Sequence, residues 1–295
     1  MNPLSAILRF TYLPLELFWQ GKKIAKFQSI LLIATFIFSM GLALINHSGF
    51  IFMPRLFGHI HFLQAIEISF TLLLFFEMIS LVFVIPQSIA NSIGKQIEIL
   101  SLVLLRSSFK EFSHFDFHLP VQNQLPSVYK MISDGVGSSI VFLLLSVYYN
   151  MQQHKSVTAP TDKAQFIILK QSIALLVFIS LFFLEINDVY NFINTGIWVQ
   201  SIDQFYMILI FADLLFMLVA FGYTLHYPDV FRYAAFVLVT VFIRFSLMAP
   251  VYYNALLALF AVLFSIAVAY AHNLFTQGRL NYITRKNNSL QQKFI

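Results

Sequence analysis

The sequence predicts an all-α, polytopic integral membrane bundle of six transmembrane helices, with interfacial helices beside them. Two features of the composition predict this class: 59% of the 295 residues are hydrophobic and only 11% are charged, whereas about a quarter of the residues in a soluble domain are charged. The third observation is a series of apolar stretches close to the ~20 residues that a helix needs to cross ~30 Å of hydrocarbon.

The first element, residues 1–26, is predicted to contain a helix that lies on the membrane surface. Its stretch Pro3–Trp19 mixes apolar and aromatic residues with Arg9 and Glu16, and three lysines follow it. This mixture is typical of interfacial helices. No cleavage site of small residues follows the first apolar run, so the segment is not expected to be a signal peptide that is removed.

Six stretches within residues 27–274 qualify as transmembrane spans. One of them has Arg232 near its start and Arg244 in its interior, but its other residues are almost continuously apolar. The predicted spans are 27–45, 64–85, 165–184, 204–223, 231–249 and 251–274. Residues 275–295 follow as a polar, basic tail on the cytoplasmic side.

The insert 87–153 is ambiguous. Its stretch 93–112 contains an apolar run together with Lys95, Arg106 and Lys110, and each charge near the middle of a bilayer costs about 2.5 to 3.5 kcal/mol. We therefore predict an amphipathic helix at the membrane surface, whose three basic residues contact lipid head groups or a partner. A loop with two prolines follows. The stretch 136–149 then offers about 14 apolar residues, a length that suits a re-entrant element or a short span.

The loops select among the possible topologies, because Lys and Arg favour the cytoplasmic side of a membrane. With six spans, fifteen of these residues fall on one side and only Arg55 on the other, whereas seven spans divide them eight to eight. Eight spans, in which 97–117 and 136–149 cross as a hairpin, keep most of the asymmetry but bury Arg106 and Lys110. Six spans with both termini in the cytoplasm are the preferred topology, and seven and eight remain alternatives.

Two charged residues inside spans are predicted to form a pair. Asp213 and Arg244 lie in neighbouring spans joined by a short turn, so they belong to one antiparallel hairpin in every topology. Counted from that turn, their depths differ by only about 3 Å. Pairing reduces the cost of burying each charge. Two interpretations stay open: a structural pin that fixes the rotation of the helices, and a charge pair that lines an ion or proton path.

Glu77 is the third charged residue well inside a span, and the first span has no basic residue to neutralise it. We expect it to meet Arg244 or Lys170 from another helix, or to carry a proton, because burial disfavours the charged form of a carboxylate. Lys170 lies near the start of its own span. Its long stem is therefore expected to reach the cytoplasmic interface.

Several classes of function find no support in the sequence. The absence of cysteine excludes thiolate metal sites and cysteine nucleophiles. No nucleotide-binding glycine loop and no G-x-S-x-G elbow occurs. His47, His59 and His61 share a loop, but no carboxylate or cysteine completes a zinc spacing. The net charge of +5 is a topology signal rather than a nucleic-acid surface. Enzyme activity therefore has no positive support in the sequence, and we predict no cofactor, metal or nucleic-acid partner.

The sequence therefore favours a channel-like or transporter-like membrane protein with a polar path near Glu77, Asp213 and Arg244. The alternative is a non-transporting scaffold, assembly factor or sensory module whose buried charges are structural. The expected partners are the lipid bilayer, an ion or proton, and a second copy of the chain or another membrane protein. A bacterial inner membrane is the simplest location.

Overall fold

The computed structural model describes residues 3–48, 64–87, 89–112, 120–152, 160–195, 201–223 and 227–291. This part of the chain forms an all-α bundle, as predicted, with a short 3-10 turn at Val121–Gln124. Its helices are α1 (Pro3–Trp19), α2 (Lys22–Ser48), α3 (Gln64–Val84), α4 (Ile89–Phe112), α5 (Leu125–Met151), α6 (Pro160–Thr195), α7 (Ile202–Tyr223), α8 (Tyr227–Met248) and α9 (Tyr253–Gln291).

Among the described residues, seven helices are long and apolar enough to cross a membrane: α2, α3, α5, α6, α7, α8 and α9. Six of them contain the six predicted spans. The seventh, α5, contains the stretch 136–149 and is 27 residues long, longer than its apolar stretch suggests. It begins within the proline-containing segment because Pro126 occupies its first turn, where the missing N–H of proline costs nothing. The chain is a multi-pass membrane protein.

Contacts between helix termini define two ends of the bundle. At one end, the contacts are hydrogen bonds that join Asn91 to Gln152, Met151 to Asn273 and Gln87 to Lys170. At the opposite end, hydrogen bonds or ion pairs join Glu67 to Lys110, Ser108 to Met131, Asp188 to Ser201 and Ser246 to Asn254. We call the first end the basic end, because four exposed lysines of the described residues lie at or near it, Lys22, Lys23, Lys26 and Lys95, against Lys110 and Lys130 at the opposite end.

Helix α1 has the predicted bounds and packs against the bundle. Its Tyr12 is buried in the same core as Phe83 of α3. Trp19 Nε1 donates a hydrogen bond to Ser80 Oγ of α3 at 3.0 Å. Since Ser80 lies in the last part of α3, α2 also begins near the basic end. The location of residues 1–26 on the membrane surface stays a prediction.

Helix α4 lies inside the bundle rather than on its surface. It runs antiparallel to α3 and to α5, because Glu67–Lys110 and Asn91–Gln152 join opposite ends of these pairs. One face of α4 is buried against α5 and α8, and it consists of Ile93, Ile97, Leu100 and Leu104. The exposed face between Lys95 and Lys110 is apolar, and it consists of Leu102, Leu105 and Phe109. The prediction of a surface helix for 93–112 therefore does not describe how α4 packs.

The close packing of α5 depends on small residues. A Cβ at Gly137 would lie 2.8 Å from Ala255 Cβ of α9, which is closer than real side chains approach. A Cβ at Gly94 of α4 would meet the ring of Tyr149 at 2.6 Å. Small residues that permit such approach are typical of membrane helix interfaces, where van der Waals packing drives association.

Two hydrophobic cores fill the bundle. The first is formed by α1, α3, α6 and α7, and the second by α4, α5, α8 and α9. Leu247 of α8 packs against both. The hairpin of α7 and α8 joins the two cores, so a polar group on its inner faces is remote from lipid. The predicted tail 275–295 is helical as far as Gln291, because α9 continues to that residue.

Candidate functional site

The structure brings Asp213 and Arg244 together, as the hairpin geometry predicts. Asp213 lies at the middle of α7, and Arg244 lies in the last part of α8. Their closest charged atoms, Asp213 Oδ2 and Arg244 Nη2, are 3.8 Å apart. The side chain of Arg244 has no solvent exposure and that of Asp213 has 7%. The two residues thus form an ion pair in the interior of the bundle.

This pair is incompletely satisfied. None of the three guanidinium nitrogens of Arg244 makes a hydrogen bond to any described residue, and neither does Asp213 Oδ2. A separation of 3.8 Å is too long for a direct hydrogen bond. Buried polar groups are nearly always hydrogen-bonded, to ordered water where protein groups are absent. The pair therefore calls for water or an ion.

A cavity of about 40 Å³ reaches Asp213. This volume has room for about three water molecules. Its polar and charged lining residues come from four helices and are Ser92, Gln96, Lys170, Asp213, Tyr233 and Thr240. Gln96 Oε1 is buried and accepts no hydrogen bond from the described residues. Thr240 lies one turn before Arg244 on α8, so Arg244 is next to the cavity without lining it.

Glu77 pairs with Arg106, a partner that the sequence did not indicate. Arg106 Nη1 donates to Glu77 Oε2 at 2.8 Å, and the two side chains are 13% and 11% exposed. The same nitrogen lies 3.5 Å from the carbonyl of Phe70. Glu77 does not lie on the cavity and does not meet Arg244 or Lys170, so that part of the prediction is wrong. Arg106 had been expected to contact lipid or a partner.

Tyr206 lies between the two charge pairs. It precedes Asp213 by two turns on the same face of α7 and is 2% exposed. The charges of Arg106, Arg244 and Glu77 all act on it. No pattern in the sequence pointed to Tyr206, because tyrosine is common in this chain and Tyr206 is in no motif.

Lys170 is buried, although its ammonium group reaches the turn that joins α3 to α4 at the basic end. It is 5% exposed. Its Nζ donates to the backbone carbonyl of Gln87 at 3.1 Å and lies 4.8 Å from the ring centre of Phe166. No carboxylate of the described residues lies within ion-pair distance of it. Lys170 and Asp213 line the same cavity.

The other basic candidates lie at the two ends of α4. Lys95 pairs with Glu98 at 2.7 Å at the basic end, and Lys110 pairs with Glu67 at 3.2 Å at the opposite end. Both lysines are about half exposed. Their contact with lipid head groups or a partner stays a prediction. At the opposite end Lys130 also pairs with an acid, Glu111, at 3.5 Å.

A third buried acid, Asp134 of α5, is separate from the cavity. It has no solvent exposure, and neither carboxylate oxygen has a hydrogen-bond partner among the described residues. Ser107 and Asn254 face it without hydrogen-bonding geometry. Its position between α4, α5 and α9 could not be read from the sequence, where it only precedes the stretch 136–149.

In the part of the chain that the structure describes, no group of three His, Asp or Glu residues is arranged to hold a metal ion. His59 and His61 lie outside that part, and so does the side chain of His47. Comparisons with family models, with curated proteins and with solved structures returned no match. The function is therefore inferred from the chemistry of the site.

Proposed function

We propose that the protein translocates an ion across a membrane, as a channel-like or transporter-like protein with a polar path through Asp213 and Arg244. The observation that carries this proposal is the cavity that reaches Asp213 beside a fully buried arginine, which makes no side-chain hydrogen bond to any described residue. Ionisable residues inside membrane helices are costly, and they commonly mark ion or substrate pathways. An unsatisfied pair beside a polar cavity fits such a pathway better than it fits a structural pin.

The size of the cavity limits what can pass. A volume of about 40 Å³ holds a few waters, whereas pockets for drug-sized ligands measure about 300 Å³ or more. The species that occupies this cavity is accordingly an ion or a proton with its water. Larger solutes would require the helices to separate.

Glu77 lies beside this path rather than on the cavity. Along α7 and α8 the polar groups follow from the basic end in the order Asp213, Arg244 and Tyr206, and Glu77 of α3 lies at about the depth of Asp213. Arg106 Nη1 also lies 3.5 Å from the carbonyl of Phe70, in the half of α3 that leads to the opposite end, where Glu67 and Lys110 pair. The polar groups thus extend beyond the cavity toward that end.

Eight membrane crossings fit the packing best, with α4 as the eighth beside the seven apolar helices. Helix α4 is antiparallel to α3, which is apolar enough to span, and its exposed face is apolar. In a chain that crosses eight times, Lys110, Lys130 and Arg55 lie on one side, and twelve other Lys and Arg residues lie with the basic end on the other. By the positive-inside rule the basic end, with both termini, is cytoplasmic, and a bacterial inner membrane remains our proposed location.

The test is ion flux through the purified protein in lipid vesicles. Dyes for pH, Na⁺, K⁺ and Cl⁻ would be compared between protein-free vesicles, the wild-type chain, Asp213→Asn and Asp203→Asn. Asp203 is the matched control, because it is an exposed aspartate in the first turn of the same helix. We expect flux of at least one ion for the wild-type chain and for Asp203→Asn, and its loss for Asp213→Asn. Absence of all flux from the wild-type chain, or full flux from Asp213→Asn, would overturn the proposal.

The scaffold alternative is favoured by one observation. Glu77 and Arg106 form a short, direct hydrogen bond between α3 and α4 and do not line the cavity. This arrangement is what a pin between two helices requires. If both pairs are pins, their variants would lower stability, and the wild-type chain would carry no ion.

A further inference from the structure

The geometry points to a proton as the translocated ion and to Lys170 as the group that passes it from the basic end into the cavity and on to Asp213. This inference rests on the proposed function. It adds the identity of the ion and the residue through which the ion enters. Three features carry it: the environment of Lys170, the polar lining between Lys170 and Asp213, and the mixed charge of the cavity.

Lys170 is a buried amine that has no acidic partner among the described residues. Gln87 supplies one carbonyl at 3.1 Å, and Phe166 supplies the face of a ring at 4.8 Å. An ammonium group has three N–H donors, and one carbonyl with one ring face satisfies them only in part. Burial without a counter-ion stabilises the neutral amine relative to the ammonium. A buried amine that has an unused N–H donor and lines a water-sized cavity is suited to accept and release a proton.

The location of Lys170 fits an entry point. Its hydrogen-bond partner Gln87 lies in the turn that joins α3 to α4 at the basic end. Its Nζ can therefore take a proton from water at that end. The amine becomes ammonium when the proton arrives and amine again when the proton passes to a water in the cavity. No bond other than N–H and O–H forms or breaks.

The cavity supplies a route from Lys170 to Asp213. About three waters fit the 40 Å³, and Gln96 Oε1 and Asp213 Oδ2 are buried acceptors with no described donor. Both acceptors need a donor, and water molecules between them would supply it. A chain of such waters can carry the proton to the Asp213 carboxylate. The titratable groups that face this route from the packed helices are Lys170, Asp213 and Tyr233, with Arg244 beyond Thr240.

The charges around the cavity favour a proton over other ions. Lys170 and Arg244 repel metal cations, and Asp213 repels anions. These opposing charges hinder a proton less than another ion. The proton passes from group to group along hydrogen bonds, and each transfer changes the charge of the group that holds it. Arg244 cannot lose its proton, so it serves as the fixed charge that attracts the ionised form of Asp213.

The test is proton flux into vesicles at several pH values, for the wild-type chain and three variants of Lys170. Lys170→Arg keeps the positive charge but holds a proton that it cannot release. Lys170→Met keeps the approximate size of the side chain without a charge. Lys170→His keeps a group that can bind and release a proton. We expect Lys170→Arg and Lys170→Met to lose flux by about a hundredfold, the lower end of what a positioned acid–base group contributes. We expect Lys170→His to retain flux, with a pH profile moved to lower pH because histidine titrates there.

The outcomes separate this inference from the proposed function. Wild-type flux of another ion without protons would overturn the inference and leave the proposed function intact. If Lys170→Arg carries protons as fast as the wild-type chain, only a fixed positive charge is needed at this position. If Lys170→Met does so, no charged group is needed there. Either result overturns the role of Lys170. Gel filtration of each variant shows whether it is folded. If Lys170→Arg does not fold, the proton flux of Lys170→Met is compared with that of Lys170→His, and equal flux in the two overturns the role of Lys170.

Discussion

Arg244 and Arg106 show two different ways to keep an arginine inside a membrane bundle. Arg106 donates a hydrogen bond to Glu77 at 2.8 Å, so its charge is largely neutralised by a direct partner. Arg244 has its nearest acid oxygen at 3.8 Å and no hydrogen bond to the described residues. The first arrangement stabilises a helix contact. The second leaves donors for water or an ion, and it lies beside the cavity.

Only one of these two pairs could be predicted from the sequence. Asp213 and Arg244 lie on adjacent helices with a short turn, so chain geometry alone matches their depths. Glu77 and Arg106 are also on adjacent helices. The sequence nevertheless predicts a surface location for Arg106, because an unpaired charge carries the full free-energy cost of insertion into the membrane. A partner removes most of that cost, and sequence alone does not show which charges meet.

At this scale we predict that Glu77→Gln destabilises the protein by about 3 to 5 kcal/mol, because it leaves Arg106 buried without its counter-charge. Glu98→Gln is the matched control. Glu98 pairs with Lys95 at a site about one third to one half exposed, such surface pairs contribute little, and a glutamine there can still accept the hydrogen bond that the Tyr149 hydroxyl donates. Thermal unfolding in detergent measures the effect. An unfolding midpoint of Glu77→Gln equal to that of Glu98→Gln would contradict the assignment.

The elements of the bundle were predictable where hydropathy is continuous. Six spans and α1 follow from apolar length and from the charges around them. Helices α4 and α5 did not follow, because their polar residues face the interior. In α4 the buried face includes Ser92, Gln96 and Ser101 as well as apolar residues. A helix with a partly polar interior face resembles an amphipathic surface helix in sequence, and only packing against its neighbours distinguishes the two.

The contact between α5 and α9 can be tested at Gly137. A Cβ added there would lie 2.8 Å from Ala255 Cβ, and neither backbone can move away without separating the helices. We expect Gly137→Ala to lower the unfolding midpoint and Ala255→Gly to restore part of the loss. Gly222→Ala is the control, because a Cβ there meets nothing within 4 Å. That variant should be neutral or stabilising by up to about 1 kcal/mol through helix propensity.

This prediction fails if Gly137→Ala is as stable as Gly222→Ala. Such a result would mean that α5 and α9 are not as closely packed as the structure indicates. A loss of stability in Gly137→Ala that Ala255→Gly does not reduce at all would also contradict the contact, because the added methyl group would then be harmful for another reason.

The whole molecule is a bundle in which each helix from α3 to α9 runs opposite to the one before it. This alternation follows from the contacts at the two ends and does not depend on hydropathy. It places α4 and α5 as a hairpin at the same depth as helices that are apolar enough to span. The polar residues at the centre are enclosed by this arrangement, since α4 supplies one wall of the cavity and α7 and α8 supply others.

At the scale of the molecule we predict that positions 117 and 157 lie on opposite sides of the membrane. Eight crossings place 157 with the basic end and 117 on the other side, whereas six crossings place both on the cytoplasmic side. Single cysteines at these positions, in a chain without native cysteine, would be labelled with a membrane-impermeant maleimide in intact cells. Labelling of 157 but not of 117, or of neither position, would contradict the eight-helix arrangement.

The central claim is that water from the basic end reaches the middle of the bundle beside Asp213. The most direct measurement is the reaction of Thr240→Cys with silver ions in oriented vesicles, followed by maleimide labelling of the denatured chain. Val239→Cys is the control, because Val239 is also buried but does not line the cavity. We predict that silver added at the basic end protects Thr240→Cys and leaves Val239→Cys open to labelling. Equal labelling of both variants after silver at either end would contradict the claim.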